Sequence, residues 1–206
     1  MPTIANIAKI NGIVISGAPA VPDAHTLIAT QTATTSPATA TLSFVLGLDS
    51  LYDAYEFRFT NMHAATDESA FGFQVNAAGA TGFNEYITST AFKAEHDESD
   101  SATGFGYNGG EDQAQGTAYQ RLSYVQQIAN DEAYSGVLTL YAPSSTTYVK
   151  NFVAKGNYVH HSGKYSQNLF IAGYVNTTSA LDEISFKFES GNIDAGVIKM
   201  YGVAKS

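Results

Sequence analysis

The densest group of side chains able to ligate a cation or move a proton is the run EHDESD, which holds Glu95, His96, Asp97, Glu98 and Asp100 around Ser99. Several carboxylate oxygens close together are what a hard cation such as calcium takes. The run lacks the D-x-[DN]-x-[DN]-G spacing of a calcium loop, however. A solvated acidic loop is therefore the expectation, with a metal site and a partner contact as the readings weighed against it. The one histidine pair, His160 and His161, lies in a β-rich stretch. Neighbours on a strand face opposite ways, so these two rings do not converge on one metal. His25 stands alone among Ala and Thr. Glu56 and Arg58 are two apart and share a strand face, which predicts a surface ion pair of little energetic weight.

Covalent catalysis finds no foothold. There is no G-x-S-x-G turn to raise a serine nucleophile, and with no Cys there is neither a thiolate nor a Cys-ligated zinc. No strand carries E-x-D-x-x-E, and most acids fall in turn-rich stretches, so a glycosidase carboxylate pair is not recognisable. No phosphate-cradling glycine motif precedes a helix. The expectation is a protein that is not an enzyme, with no catalytic residues, metal or cofactor.

The elements that would position any site read as strands. Tyr and Phe are plentiful, Trp is absent, and Thr, Ser, Ala and Gly are common, a mix that favours strands and turns. The formal net charge is −9 with only ten Lys and Arg. That balance argues against a nucleic-acid partner, which is held by clustered cations. No run approaches the roughly 20 apolar residues of a membrane-spanning helix. The apolar segment at 13–20 has no basic residue before Lys9 and follows an Asn-Gly turn, which disfavours a cleaved signal.

The two ends carry the clearest patterns. Near the start, Ile4, Ile7, Ile10, Ile13, Val14 and Ile15 flank Asn11 and Gly12. Asn-Gly between apolar residues predicts a hairpin with a type I′ turn, and a hairpin this small needs a surface to lie on. Residues 22–41 thin to Ala, Thr, Ser and Pro and read as an extended arm, or alternatively as an edge strand. At the far end, Ile184, Phe186 and Phe188 alternate, turn formers follow at 190–196, and Val197, Lys199, Tyr201 and Val203 alternate against Ile198 and Met200. A last strand apolar on both faces is not expected at a free sheet edge.

Between the ends, strands are predicted around 42–46, 53–63, 69–76, 84–92, 136–141, 147–160 and 169–175. Residues 117–129 fit strand or helix and are read as strand, and the glycine-rich stretch 104–116 is read as a loop. Short strands with turn signals every 8 to 12 residues predict an all-β fold, an antiparallel β-sandwich of jelly-roll type over 41–206. A hairpin and extended arm over 1–40 would precede it.

Several segments resemble a group of virion structural proteins from tailed phages of marine and aquatic bacteria. They are IAKINGIVI (7–15), LYDAYEFRFTNMHAATD (51–67), GFQVN (72–76), YAPSSTTYVKNF (141–152) and IAGYVNTTSALDEISFKFESGNIDAGVIKMYGV (171–203). The resemblance implies a β-sandwich or jelly-roll module on the virion exterior, without catalytic residues. A capsid decoration (cement) protein is the leading expectation, a homo-oligomer such as a trimer. Its hairpin residues Ile4, Ile7, Ile10, Asn11, Gly12, Ile13, Val14 and Ile15 would contact the major capsid protein or a neighbouring subunit. The alternative is a tail-associated carbohydrate-binding or receptor-binding module, in which a Tyr-rich loop such as 105–110 stacks on a glycan. A secreted binding module is the third.

Overall fold

The computed structural model describes residues 8–10, 13–15, 24–160 and 164–204, the first two segments as backbone. The described chain is all β. In order, the strands are β1 (Ala8–Ile10), β2 (Ile13–Ile15), β3 (His25–Thr32), β4 (Leu42–Phe44), β5 (Ala54–Ala64), β6 (Ser69–Ala77) and β7 (Ile87–Asp97). They continue with β8 (Thr103–Tyr107), β9 (Gln120–Gln126), β10 (Tyr134–Tyr141), β11 (Lys150–His160), β12 (Tyr165–Val175), β13 (Leu181–Phe188) and β14 (Ile193–Val203). β1 and β2 pair only with each other, Ile10 opposite Ile13, which agrees with the expected hairpin. Asn11 and Gly12 themselves, with Ile4 and Ile7, lie outside the described residues.

The rest forms two antiparallel sheets. One has eight strands in the order β3-β14-β5-β10-β11-β12-β7-β8, the other four in the order β4-β13-β6-β9. Within them β3 pairs β14, β4 pairs β13, β5 pairs β10 and β6 pairs β9. β14 lies between β3 and β5, in keeping with a terminal strand that is apolar on both faces. Residues 117–129 supply strand β9 and no helix.

Two expectations are corrected. Residues 25–32, read as arm, are instead the edge strand β3, the alternative weighed for that stretch. Their backbone pairs with β14 from Thr32 opposite Val197 to His25 opposite Val203, and Ile28 and Ala29 pack on the core. Little apolar payload suffices where a strand only has to complete a ladder. Residues 103–107, read as loop, form β8, because alternate glycines still leave a backbone able to pair with β7.

The sheets share one core, and aromatic rings join them. Phe186 of β13 stands 5.4 Å from Phe57 and 5.2 Å from Phe59 of β5, ring centre to ring centre, and also meets Phe44, Phe71 and Phe73. Phe73 reaches Phe152 of β11 at 5.2 Å. Edge-on and tilted pairs at these distances are favourable beyond the area they bury. Lys150 is fully buried, and its ammonium donates to the carbonyls of Ser179 (2.5 Å) and Thr177 (3.1 Å), which ties the loop before β13 to β11. Burial holds its pKa below the ordinary lysine value.

The alternation of β5 reverses once. Tyr55, Phe57 and Phe59 are buried, Asn61 takes φ = 50°, and from there Met62 and Ala64 are the residues buried without exposure. The pairing shifts register at the same place, opposite Gly196 at φ = 128°. A Cβ on Gly196 would fall 2.8 Å from the Asn61 carbonyl oxygen and 2.9 Å from the Met62 Cα, so only glycine fits this paired bulge. Two outcomes follow. Phe186→Ala should lower unfolding free energy by about 3–5 kcal/mol in urea titrations. Gly196→Ala should lower it by about 1–3 kcal/mol or more, through backbone strain together with the overlap on Asn61 and Met62.

Candidate functional site

The acidic run does not converge on a cation. Glu95 points to the inner side of the sheet, where its carboxylate meets Lys93 Nζ at 2.9 Å, while His96, the next residue of the same strand, faces the outer side. Asp97 closes the β7–β8 turn. Its carboxylate accepts from the backbone N–H of Ser101 (2.9 Å) and Ala102 (2.8 Å) and from the hydroxyls of Ser99 and Ser101. Those bonds, the Ser101 hydroxyl first, hold its carboxyl well below the usual range. His96 Nε2 lies 3.2 Å from Asp100. Among the described residues no group of three or more His, Asp or Glu side chains could hold a metal ion. The run is the end of strand β7 followed by a turn stapled by its own hydroxyls and amides.

His25 and the Glu56/Arg58 pair lie together on the outer face, His25 Nε2 at 3.4 Å and Arg58 at 2.8 Å from Glu56 Oε2. His160 ends β11 with its ring 5.1 Å from that of Tyr124, and His161 lies outside the described residues.

The bulge at Asn61 turns His63 into a cleft of about 360 Å³ with Asn61, Asn130, Asp131 and Asp194. His63 is buried, Nδ1 3.3 Å from Asp194 Oδ2 and Nε2 3.0 Å from the Ala129 carbonyl. An Asp–His pair is the back half of a nucleophile-activating triad. Here the position a nucleophile's hydroxyl would need, at Nε2, is filled by a carbonyl oxygen. The neighbouring Ser135 hydroxyl instead accepts from the Asn61 N–H at 3.0 Å. The arrangement fixes the ring between two acceptors and anchors the loop at Ala129.

A second recess, of about 270 Å³, opens on the inner side of the sheet beyond β9, lined by Lys93, Asn108, Tyr124 and His160. Behind Lys93 and Tyr124 runs a chain of hydrogen bonds. The Tyr124 N–H donates to Tyr158 Oη (2.9 Å), the Tyr158 hydroxyl donates to Gln167, and Gln167 Nε2 donates to Glu95 Oε2 (2.5 Å), which also accepts from Lys93. Burial pushes the Tyr158 phenol up, and Lys93 draws the Glu95 carboxyl down. Nearby, Arg121 grips Glu189 with Nε and Nη2, and buried Glu111 lies 3.4 Å from Nη1. Burial raises the Glu111 carboxyl against the pull of that guanidinium.

The outer face of the eight-stranded sheet is the third feature. One cross-strand row runs Thr30, Lys199, Arg58, Val137, Lys155, Phe170, Phe92 and Tyr107, through all eight strands. Phe92 stacks on Phe170 at 5.0 Å and meets Phe105 at 5.7 Å. Phe105 is 79% exposed and Tyr107 62%. The segment 105–110, with one Phe and one Tyr, is thus divided: Phe105 and Tyr107 face outward, and Asn108 lines the inner recess.

Lys93 and Glu95 were within reach of sequence reasoning, since residues two apart on a strand share a face. Tyr124, Gln167 and the His63–Asp194 pair were not, because Tyr124 meets Tyr158, Gln167 meets Glu95 and His63 meets Asp194 only once distant strands have paired. Among the described residues no helix is long and apolar enough to cross a membrane. Comparisons with protein families, with curated proteins and with solved structures give no match.

The Asp97 turn makes a pH prediction. A carboxyl whose folded pKa is depressed contributes stability above its unfolded value, near 3.9, and loses it as pH falls through the folded one. Thermal melts of the wild type and Asp97→Asn should therefore differ most at pH 6 and converge as pH drops below about 4. A gap independent of pH would show that the carboxylate charge plays no part.

Proposed function

We propose that this protein is a virion structural module of a tailed phage, a capsid decoration protein on the particle exterior that acts through assembly and not through catalysis. The single observation that carries the reading is the open outer face of the eight-stranded sheet. Apolar and aromatic side chains, among them Leu27, Phe92, Phe105, Tyr141 and Val153, stand exposed along it. Monomeric proteins rarely expose contiguous apolar patches of more than a few hundred Å². The charges of this face are also against the trend of the chain: Arg58, Lys155 and Lys199 occupy one row, with Glu56 beside them, in a molecule of net charge −9. A second copy, acidic elsewhere on its surface, is the partner that complements such a face. Head-to-face contact of this kind gives a ring where the rotation between copies closes, and the reading takes that form, a cyclic homo-oligomer such as a trimer.

Two further features support the reading. The β1–β2 hairpin pairs with neither large sheet among the described residues, as an anchor to the major capsid protein or a neighbouring subunit would. The strand pairs β3–β14, β4–β13, β5–β10 and β6–β9 amount to one long antiparallel ribbon folded over on itself. That is how a jelly roll is wound, with β7–β8 and β11–β12 as insertions that widen one sheet, and jelly rolls are common shell-building modules.

The deciding measurement is the copy number per purified virion against the major capsid protein. Copies in a simple ratio to the capsid protein support decoration. A few dozen or fewer would move the protein to the tail, and absence from particles would overturn the reading. Deleting residues 1–20 should abolish attachment to capsids. Val153→Asp combined with Lys155→Glu should shift the protein to monomer in sedimentation without lowering its melting temperature.

A further inference from the structure

We propose that the inner recess beside β9 is a binding site for a neutral hexopyranoside. The site is separate from the assembly surface, because its residues lie on the opposite side of the same strands. Lys93 and Glu95 alternate with the outward-facing Phe92 and Ala94.

Lys93 Nζ and Glu95 Oε2 stand 2.9 Å apart, a donor beside an acceptor, each side chain between one fifth and one third exposed. Adjacent hydroxyls on a sugar ring present the matching pair, one oxygen accepting and the next hydroxyl donating. The pair is held in advance. Gln167 is buried and donates to Glu95, and buried Tyr158 in turn holds Gln167, so binding need not freeze loose side chains. Lys93 has protons beyond the one given to Glu95, and no hydrogen bond among the described residues uses Glu95 Oε1.

Space for that second oxygen depends on Gly104 of β8. A Cβ there would lie 2.9 Å from Glu95 Oε1 and 3.2 Å from its Cγ. A side chain at 104 would push the carboxylate from its place. Glycine here is explained by the room it leaves, since its backbone is ordinary strand.

The walls supply the other half of sugar recognition. The Tyr124 and His160 rings lie 5.1 Å apart and tilted by 30°, and Tyr165 meets His160 at 6.4 Å. Aromatic walls take the apolar C–H face of a pyranose, while the Asn108 amide at the rim offers a further donor and acceptor. The volume, about 270 Å³, suits one ring. Lys93 and Glu95 neutralise each other, so the ligand class is an uncharged hexose and not a uronate or sialate.

The experiment is saturation-transfer NMR on the full chain with the methyl glycosides of glucose, galactose, mannose and N-acetylglucosamine. At least one should receive saturation, and titration should show Glu95→Gln and Lys93→Met weakening it tenfold or more. Val153→Asp, on the outer face, should leave it unchanged. Gly104→Ala should weaken binding as well, and it serves if a charge variant fails to fold. No transfer to any of the four glycosides overturns the proposal, as does binding that survives in folded Glu95→Gln or Gly104→Ala protein. Neither result bears on virion copy number, so this site and the decoration reading stand or fall separately.

Discussion

Everything in this molecule rests on the ring packing between the two sheets. Phe186 enters from the smaller sheet and Phe57 and Phe59 from the larger, and none of them is more than 4% exposed. Burying such side chains contributes about 1.5–3 kcal/mol each. With no Cys there is no cross-link to share the task. The consequence is geometric. Strands stay apolar on their inner side as far as a second layer covers them, and that layer is only four strands wide against eight. Under β13 and β6 the larger sheet presents Phe57, Phe59, Leu138 and Phe152. Past β9 its inner side changes to Ser89, Lys93, Glu95, Asp97 and Gln167.

The polar recess follows from the same mismatch in width. An inner face that no sheet covers has to satisfy its own donors and acceptors or lie open to water. Here it does both. The loop after β8 folds over part of it, where the Ser89 N–H donates to the Gln113 carbonyl, the Gln113 N–H donates to the Ser89 hydroxyl oxygen, and that hydroxyl donates to Gln120 Oε1. The remaining part carries the Tyr158–Gln167–Glu95–Lys93 chain. A network so fully connected is rigid, which separates a preformed recess from a gap.

How much of this the sequence carried depends on the range of the interaction. Period-two alternation put Phe57 and Phe186 each on one apolar strand face and set Ile198 and Met200 together on one face of theirs, because local geometry alone sets which residues share a face. The position of β14 between two neighbours followed from its two apolar faces. Residues 25–32 misled because a strand held by backbone ladder bonds needs few apolar side chains, and alternation is a record of burial, not of pairing. Gly104 and Gly106 misled for the opposite reason: they look like loop formers, yet one of them leaves room for Glu95. The acidic run, read as a solvated loop, is instead half strand: sequence shows charges and not directions, while the pleat sends Glu95 and His96 to opposite faces. His63 could not be found at all, since it depends on a bulge that exists only when Asn61 meets Gly196.

The pleat that hid these features also gives the molecule two independent surfaces on one set of strands. Along β7 the outward residues are Thr88, Thr90, Phe92 and Ala94, in register with the cation and aromatic row, while Lys93 and Glu95 turn to the recess. A sister copy laid on the outer face would bury Phe92 and Phe170 without touching the recess. The strands are stiffened by ladder bonds on both sides at β7 and β12, so crowding one face does not displace the other. The two proposed uses of this fold, assembly through one face and small-molecule binding at the other, need this separation. Widening one sheet beyond its partner supplies it, because the added strands have two usable faces where core strands have one.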